Sequence, residues 1–334
     1  MGVCRLPSCQ GLSSYEAEKN NLRRDANYIG FVMLAMTLAM QTVYIVVVTA
    51  LVAFGVLSSE RLSHSTLGMD NTTYLLFYAA IYTFAMGVPA VIVSLIAGKR
   101  HFPLSPARRV NAGDAFYGVL ASLGVCMLAN VVASYFVAFF ESLGAEDAPP
   151  PSFLEPNSQS LLVNIVVFAL LPALLEEMVF RGYVLRALRR YGDWSAIVVS
   201  AVLFGLMHGN ISQIPFALIV GLALGWLYVA TENIWLAVSV HFTNNAFSFL
   251  LEYLSINLDD ASKEKFYGIS IFAITALGVL CVGVLIARRS SLFRRLPHKT
   301  PLTMGARIGV LLTAPALILS VLVFIVLLIM ECFL

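Results

Sequence analysis

The sequence predicts an all-α, polytopic transmembrane helix bundle of about nine helices, with its active site between the central ones. Three observations carry that expectation. The chain of 334 residues is 59% hydrophobic and only 12% charged, with a mean hydropathy of +0.85; soluble domains carry roughly twice that charge. Its apolar residues fall in blocks of roughly 17–30, long enough to cross a bilayer core of ~30 Å as helices. The blocks lack the alternation of a membrane barrel, and an open sheet edge cannot be satisfied in lipid.

Nine hydrophobic segments follow one another at residues 28–57, 73–98, 114–142, 159–180, 194–209, 213–230, 234–253, 266–287 and 307–333. They divide the chain into a cytoplasmic N-terminal arm (1–27), N-terminal transmembrane helices (28–154), a core (155–255) and C-terminal transmembrane helices (256–334). The longest polar pieces are the arm, the AEDAPPPSFLEPNS connection and the loop 288–306. The start MGVCRLPSCQ is too polar for a signal peptide, and Leu6 stands where a myristoylation pattern wants Ser or Thr.

Loop charges orient the segments. Arg5, Lys19, Arg23 and Arg24 precede the first segment, and Lys99, Arg100, Arg108 and Arg109 follow the second. Arg186, Arg189 and Arg190 follow the fourth, and Arg288, Arg289, Arg294, Arg295 and Lys299 follow the eighth. The alternate connections are acidic, with Glu60 and Asp70, then Glu146, Asp147 and Glu155, then Asp259, Asp260 and Glu264. Basic loops stay inside, so the pattern expects a multi-pass cell-membrane protein with a cytoplasmic N-terminus and an external C-terminus.

Other partners are excluded by composition. The net charge is only +2, and no basic, aromatic-interleaved stretch suggests nucleic acid. The five cysteines, Cys4, Cys9, Cys126, Cys281 and Cys332, are odd in number and scattered, which argues against a disulfide framework or a Cys-based zinc site.

The central segments differ from their flanks by holding polar side chains at membrane depth. A charge there costs at least ~2.5–3.5 kcal/mol and marks a site by default. In LLPALLEEMVFRGYVLRALRR, Glu177 and Arg181 stand at i, i+4 and can pair on one helix face. Glu176 then points about 100° away and is free for other work. Phe204 and His208 repeat the i, i+4 spacing, as do His241 and Asn245. Of five histidines, His64, His101 and His298 fall in loops, while His208 and His241 fall in apolar segments. Gly221 and Gly225 form a GxxxG expected to bring helices close.

A glutamate, two histidines and an asparagine in a dry cavity suit amide hydrolysis. A carboxylate or imidazole takes a proton from water and returns it to the leaving amine, while His and Asn donors stabilise the oxyanion. The same two imidazoles and carboxylate could instead hold zinc with an open water position. HExxH and GxSxG are absent.

The three patterns EEMVFR (Glu176–Arg181), FGLMH (Phe204–His208) and HFTNN (His241–Asn245) together resemble the EExxxR, FxxxH and HxxxN motifs of one family. It is the CPBP intramembrane protease family, the CAAX proteases and bacteriocin-processing enzymes once called Abi. The resemblance covers residues 158–252 and makes the core CAAX protease-like. It implies an intramembrane endopeptidase acting on a membrane-associated or lipidated protein or peptide, by CAAX-type or leader-peptide processing. Glu176 and His208 would activate water, and His241 and Asn245 would hold the oxyanion. Glu177, Arg181 and Phe204 would support them. The family is also classed as metallopeptidases, in which case Glu176, His208 and His241 would be zinc ligands; water activation without a metal is the other route. The implied partners are the bilayer and a peptide or protein substrate, prenylated in the CAAX branch. Intramembrane Glu and His also serve proton-coupled transporters, and a non-catalytic scaffold with this fold is a third reading.

Overall fold

A computed structural model describes residues 7–97, 108–145, 153–290, 292 and 300–333. Among them are ten helices and no strand. In chain order these are α1 (Pro7–Ala53), α2 (Asn71–Ala97), α3 (Ala112–Ser142) and α4 (Ser158–Arg189). Then come α5 (Asp193–Met207), α6 (Gln213–Thr231), α7 (Ile234–Ser255), α8 (Asp260–Ala287), α9 (Met304–Leu311) and α10 (Pro315–Phe333). Eight of them are long and apolar enough to cross a membrane. Their outward faces bear Phe31, Ile45, Phe139, Ile269, Phe272 and Leu280, all exposed. Such a surface suits hydrocarbon as its solvent.

Side chains close the helix starts. Asn111, Asn157, Asn233, Asp259 and Thr303 each accept a backbone N–H from the first turn of α3, α4, α7, α8 and α9. Each satisfies a donor that a helix N-terminus otherwise leaves open.

The structure adds detail to the expected layout in three places. The region 1–27 is not a separate arm where it is described, because α1 runs unbroken from Pro7. Hydropathy registers only the uniformly apolar part, whereas Leu22, Asp25, Ala26 and Ile29 recur at helical spacing and are all buried. Asp25 accepts hydrogen bonds from Arg190 Nη2 at 2.8 Å and Tyr191 Oη at 2.9 Å, which ties α1 to the end of α4. The segment 307–333 is broken, with α9 ending at Leu311 and α10 starting at Pro315. Proline brings no N–H and sits well at a helix start; the next amide, of Ala316, donates to Asn27 Oδ1 at 3.1 Å. Gly30 makes that approach possible, since a Cβ there would lie 2.2 Å from the Ala316 backbone.

The expectation of about nine helices holds, with one of the nine segments short. Helix α5 has 15 residues, about 22 Å at the α-helical rise, short of a bilayer core. It turns back into α6 through Gly209, whose φ of +71° is a left-handed conformation natural to glycine. Eight helices long and apolar enough to cross a membrane, together with the shorter apolar α5, answer to the nine expected segments. Arg5, Lys99, Arg100, Glu146, Asp147, Arg294, Arg295 and Lys299, on which part of the expected orientation rests, lie outside the described residues, as do His101, His298, Gly2, Cys4 and Leu6.

Helices α4 to α7 make the centre, with α1 and α2 on one side and α3 and α8 on the other. Gly221 and Gly225 on α6 do bring helices close. A Cβ on Gly221 would meet Ala201 at 3.0 Å, and one on Gly225 would meet Ile197 and Leu185 at 3.2 Å.

Candidate active site

The site is built on a helix of uneven pitch. Helix α4 contains two wide, π-type stretches, Ile165–Leu170 and Met178–Leu185, on either side of the Leu171–Glu177 turn. Such stretches are uncommon and often mark functional sites. The first has a visible cause. Pro172 has no N–H for the carbonyl of Phe168 four residues back, and its ring crowds that carbonyl. The Phe168 carbonyl accepts instead from Asn245 Nδ2 of α7 at 3.2 Å. In the second stretch, the Phe180 carbonyl accepts from Ser200 Oγ of α5 at 2.9 Å. Backbone groups loosened in α4 thus become inter-helix ties.

Glu177 and Arg181 pair as their spacing predicts, with Nη1 donating to Oε1 at 2.9 Å, and neither side chain is exposed at all. A second nitrogen, Nη2, donates to the Gly221 carbonyl at 3.2 Å. The guanidinium also lies over the Phe204 ring at 4.7 Å, a cation–π contact strengthened by the absence of water. A buried charge pair stripped of one partner is costly, so this bridge fixes the geometry of α4 against α5 and α6.

His241 joins both carboxylates. Its Nδ1 lies 2.9 Å from Glu177 Oε1, and its Nε2 lies 3.8 Å from Glu176 Oε2. Since an ionised carboxylate only accepts, Nδ1 carries the proton towards Glu177, and Nε2 faces Glu176. The sequence placed the two glutamates on different faces. They do diverge along α4, and one imidazole from α7 spans them. Glu176 Oε1 accepts from the phenol of Tyr82 on α2 at 2.6 Å. Glu176 Oε2 is buried without a hydrogen bond.

His208 follows the last residue of α5, and its Nδ1 lies 2.7 Å from the Phe204 carbonyl. A carbonyl cannot donate, so Nδ1 holds a proton towards Phe204 and Nε2 is left for other contacts. Phe204 is the partition of the site. Its ring meets His208 at 4.9 Å, His241 at 5.9 Å and Phe180 at 5.0 Å between centroids. Phe204 is itself buried in the core. Asn245 lies one turn beyond His241. One of its amide hydrogens goes to Phe168, and its Oδ1 accepts from Asn244 at 3.1 Å.

Direct polar contacts join Glu177 and Arg181 of α4 with His241 of α7, Glu176 faces His241, Asn245 is tied to the α4 backbone, and His208 adjoins this group only through the Phe204 ring. The ligand set proposed for zinc does not gather as such: among the described residues, no three His, Cys, Asp or Glu side chains are grouped to hold a metal ion. Tyr82 and Pro172 were not singled out in the sequence. Tyr82 had a signal, because Tyr74, Tyr78 and Tyr82 recur every four residues and share a face of α2. Beside the site, α2 and α4 border an apolar groove of ≈ 760 Å³, lined by Leu76, Thr83, Gly87, Val91, Val167 and Leu171.

Fold and site together define a multi-pass helical membrane protein with a buried Glu–His–Arg cluster at the meeting of its central helices. The comparisons with known proteins fall on the same central helices. Residues 158–247 match the family model described as type II CAAX prenyl endopeptidase Rce1-like. The chain is also 21% identical over 150 residues to "Putative membrane peptidase YdiL" of Bacillus subtilis (strain 168), a match covering 45% of this chain and 61% of that protein. No solved structure matches the chain. The resemblance to the CPBP proteases read from the three motifs is thus supported by both comparisons, and both point to a membrane peptidase.

Proposed function

We propose that this protein is an intramembrane endopeptidase that hydrolyses a peptide bond in a membrane-associated or lipidated substrate. The observation that carries the reading is Glu176 Oε2, buried without a hydrogen bond and facing His241 Nε2 across 3.8 Å, between helices too apolar to hold it idly. Glu176 takes a proton from water, with His208 Nε2 as second acceptor, and returns it to the leaving amine. His241, balanced by Glu177 when it carries both protons, and the second amide hydrogen of Asn245 hold the oxyanion. The apolar groove beside α4 supports entry of a substrate from the lipid side.

No step is routed through zinc, because the candidate ligands are not grouped and Glu176 Oε1 is already held by Tyr82. Hydrolysis that survives a strong chelator, in protein free of zinc by elemental analysis, is the expected result; activity restored only by added zinc would overturn the metal-free route. The substrate is sought by comparing protein termini in cells carrying the wild type or Glu176→Gln. Termini made only by the wild type are expected, and identical sets from both would refute peptidase activity at this site.

A further inference from the structure

We infer that Tyr82, on α2 and outside the matched residues 158–247, is a positioning residue for Glu176. The inference rests on the proposed peptidase reading and deepens it. Glu176 has two oxygens with different surroundings. Oε1 accepts from the Tyr82 phenol at 2.6 Å, a length typical of a charge-assisted O–H···O⁻ bond. Oε2 accepts nothing and faces His241. A carboxylate on a helix can rotate about its terminal torsion, which is broad. The phenol removes that freedom by pinning one oxygen, so the other always meets the reacting water.

The phenol is itself held. Tyr82 is buried, and its ring stacks on Tyr78 at 6.0 Å and 22°. Tyr78 in turn packs against Phe168 at 5.8 Å, and Phe168 stacks on Phe249 of α7 at 5.7 Å. This aromatic row links α2 to α4 and α7, the helices that carry Glu176, His241 and Asn245. Preorganisation of this kind lowers the barrier by holding a group where the transition state needs it. It adds nothing to substrate binding, so its loss falls on kcat.

The test uses the full chain in liposomes with a quenched fluorogenic peptide ending in a farnesylated CAAX sequence. Tyr82→Phe keeps the ring and deletes only the hydroxyl. The expected result is a kcat lower by about 10- to 100-fold, with KM within about twofold and an unchanged Tm. Tyr78→Phe, one turn away in the same row, is expected to keep kcat within about twofold. Wild-type kcat in Tyr82→Phe beside an inactive Glu176→Gln overturns this inference alone, as does a loss of activity matched by a fall in Tm. Activity in Glu176→Gln overturns the peptidase reading and this inference with it. A second arm needs no turnover: infrared spectra of protein with ring-labelled tyrosine. A phenol C–O band lost in Tyr82→Phe must shift in Glu176→Gln; a band indifferent to Glu176 refutes the contact whatever the probe does.

Discussion

The centre of the bundle and its α3–α8 flank differ in how much polar bonding holds their helices together. In the flank, Gly124 and Gly278 face each other so closely that a Cβ on either would lie 2.6–2.8 Å from the other's Cα. Cys126, Met127 and Cys281 are buried nearby. In the centre, α4 to α7 are joined through Glu177, Arg181, Ser200, His241 and Asn245. Lipid tails are as apolar as leucine, so burial drives neither association; close packing of small residues and polar bonds are what remain. The flank uses the first, which is insensitive to chemistry. The centre adds the second to the close packing at Gly221 and Gly225, so part of its stability and its reactivity share the same atoms.

That contrast can be broken or sharpened by substitution. The largest effect is expected from Glu176→Gln, which is nearly isosteric and removes the proton acceptor. A loss of about 10²–10⁴-fold in kcat with an unchanged Tm is the expected outcome of a cleavage assay paired with thermal denaturation. Glu177→Gln should instead fail mainly in stability. It strands Arg181 in a dry site, at a cost of about 3–5 kcal/mol, read as a lower Tm in detergent. Equal Tm losses in the two glutamate variants would erase the division of labour between them.

Smaller effects separate the regions further. Gly278→Ala overpacks the flank and should cost about 1–3 kcal/mol with kcat per folded molecule unchanged. A changed kcat there would mean that the flank takes part in the chemistry. Pro172→Ala returns an N–H to the Phe168 carbonyl, which then competes with Asn245. Activity is expected to fall by about tenfold, the scale of one neutral hydrogen bond, while the helix gains stability. The lipid-facing Phe272→Ala is the smallest, within about 0.5 kcal/mol and without effect on cleavage.

Much of this was legible in the residues. The Glu177–Arg181 pair followed from i, i+4 spacing, and the close approach at Gly221 followed from GxxxG. The role of His241 as a bridge between both glutamates was not legible. Adjacent residues diverge on a helix, and nothing local says that a third helix will reach both. The start of α1 was missed because its buried face is striped and includes Asp25, so average hydropathy dilutes it. The break at Pro315 was missed because the flanking residues are apolar on both sides.

The sequence by itself determined the solvent of this protein, the approximate spans and the residues whose cost in lipid demands a use. Those are properties of composition and short-range period, and they survive any arrangement of the helices. Only the tertiary structure decided which oxygen of Glu176 is held and which is open, because Tyr82 reaches it from 94 residues away. It also decided that Asn245 finds a carbonyl released by Pro172. A helix in lipid can turn any face to any neighbour, and the partners of a polar side chain are settled only when the helices pack.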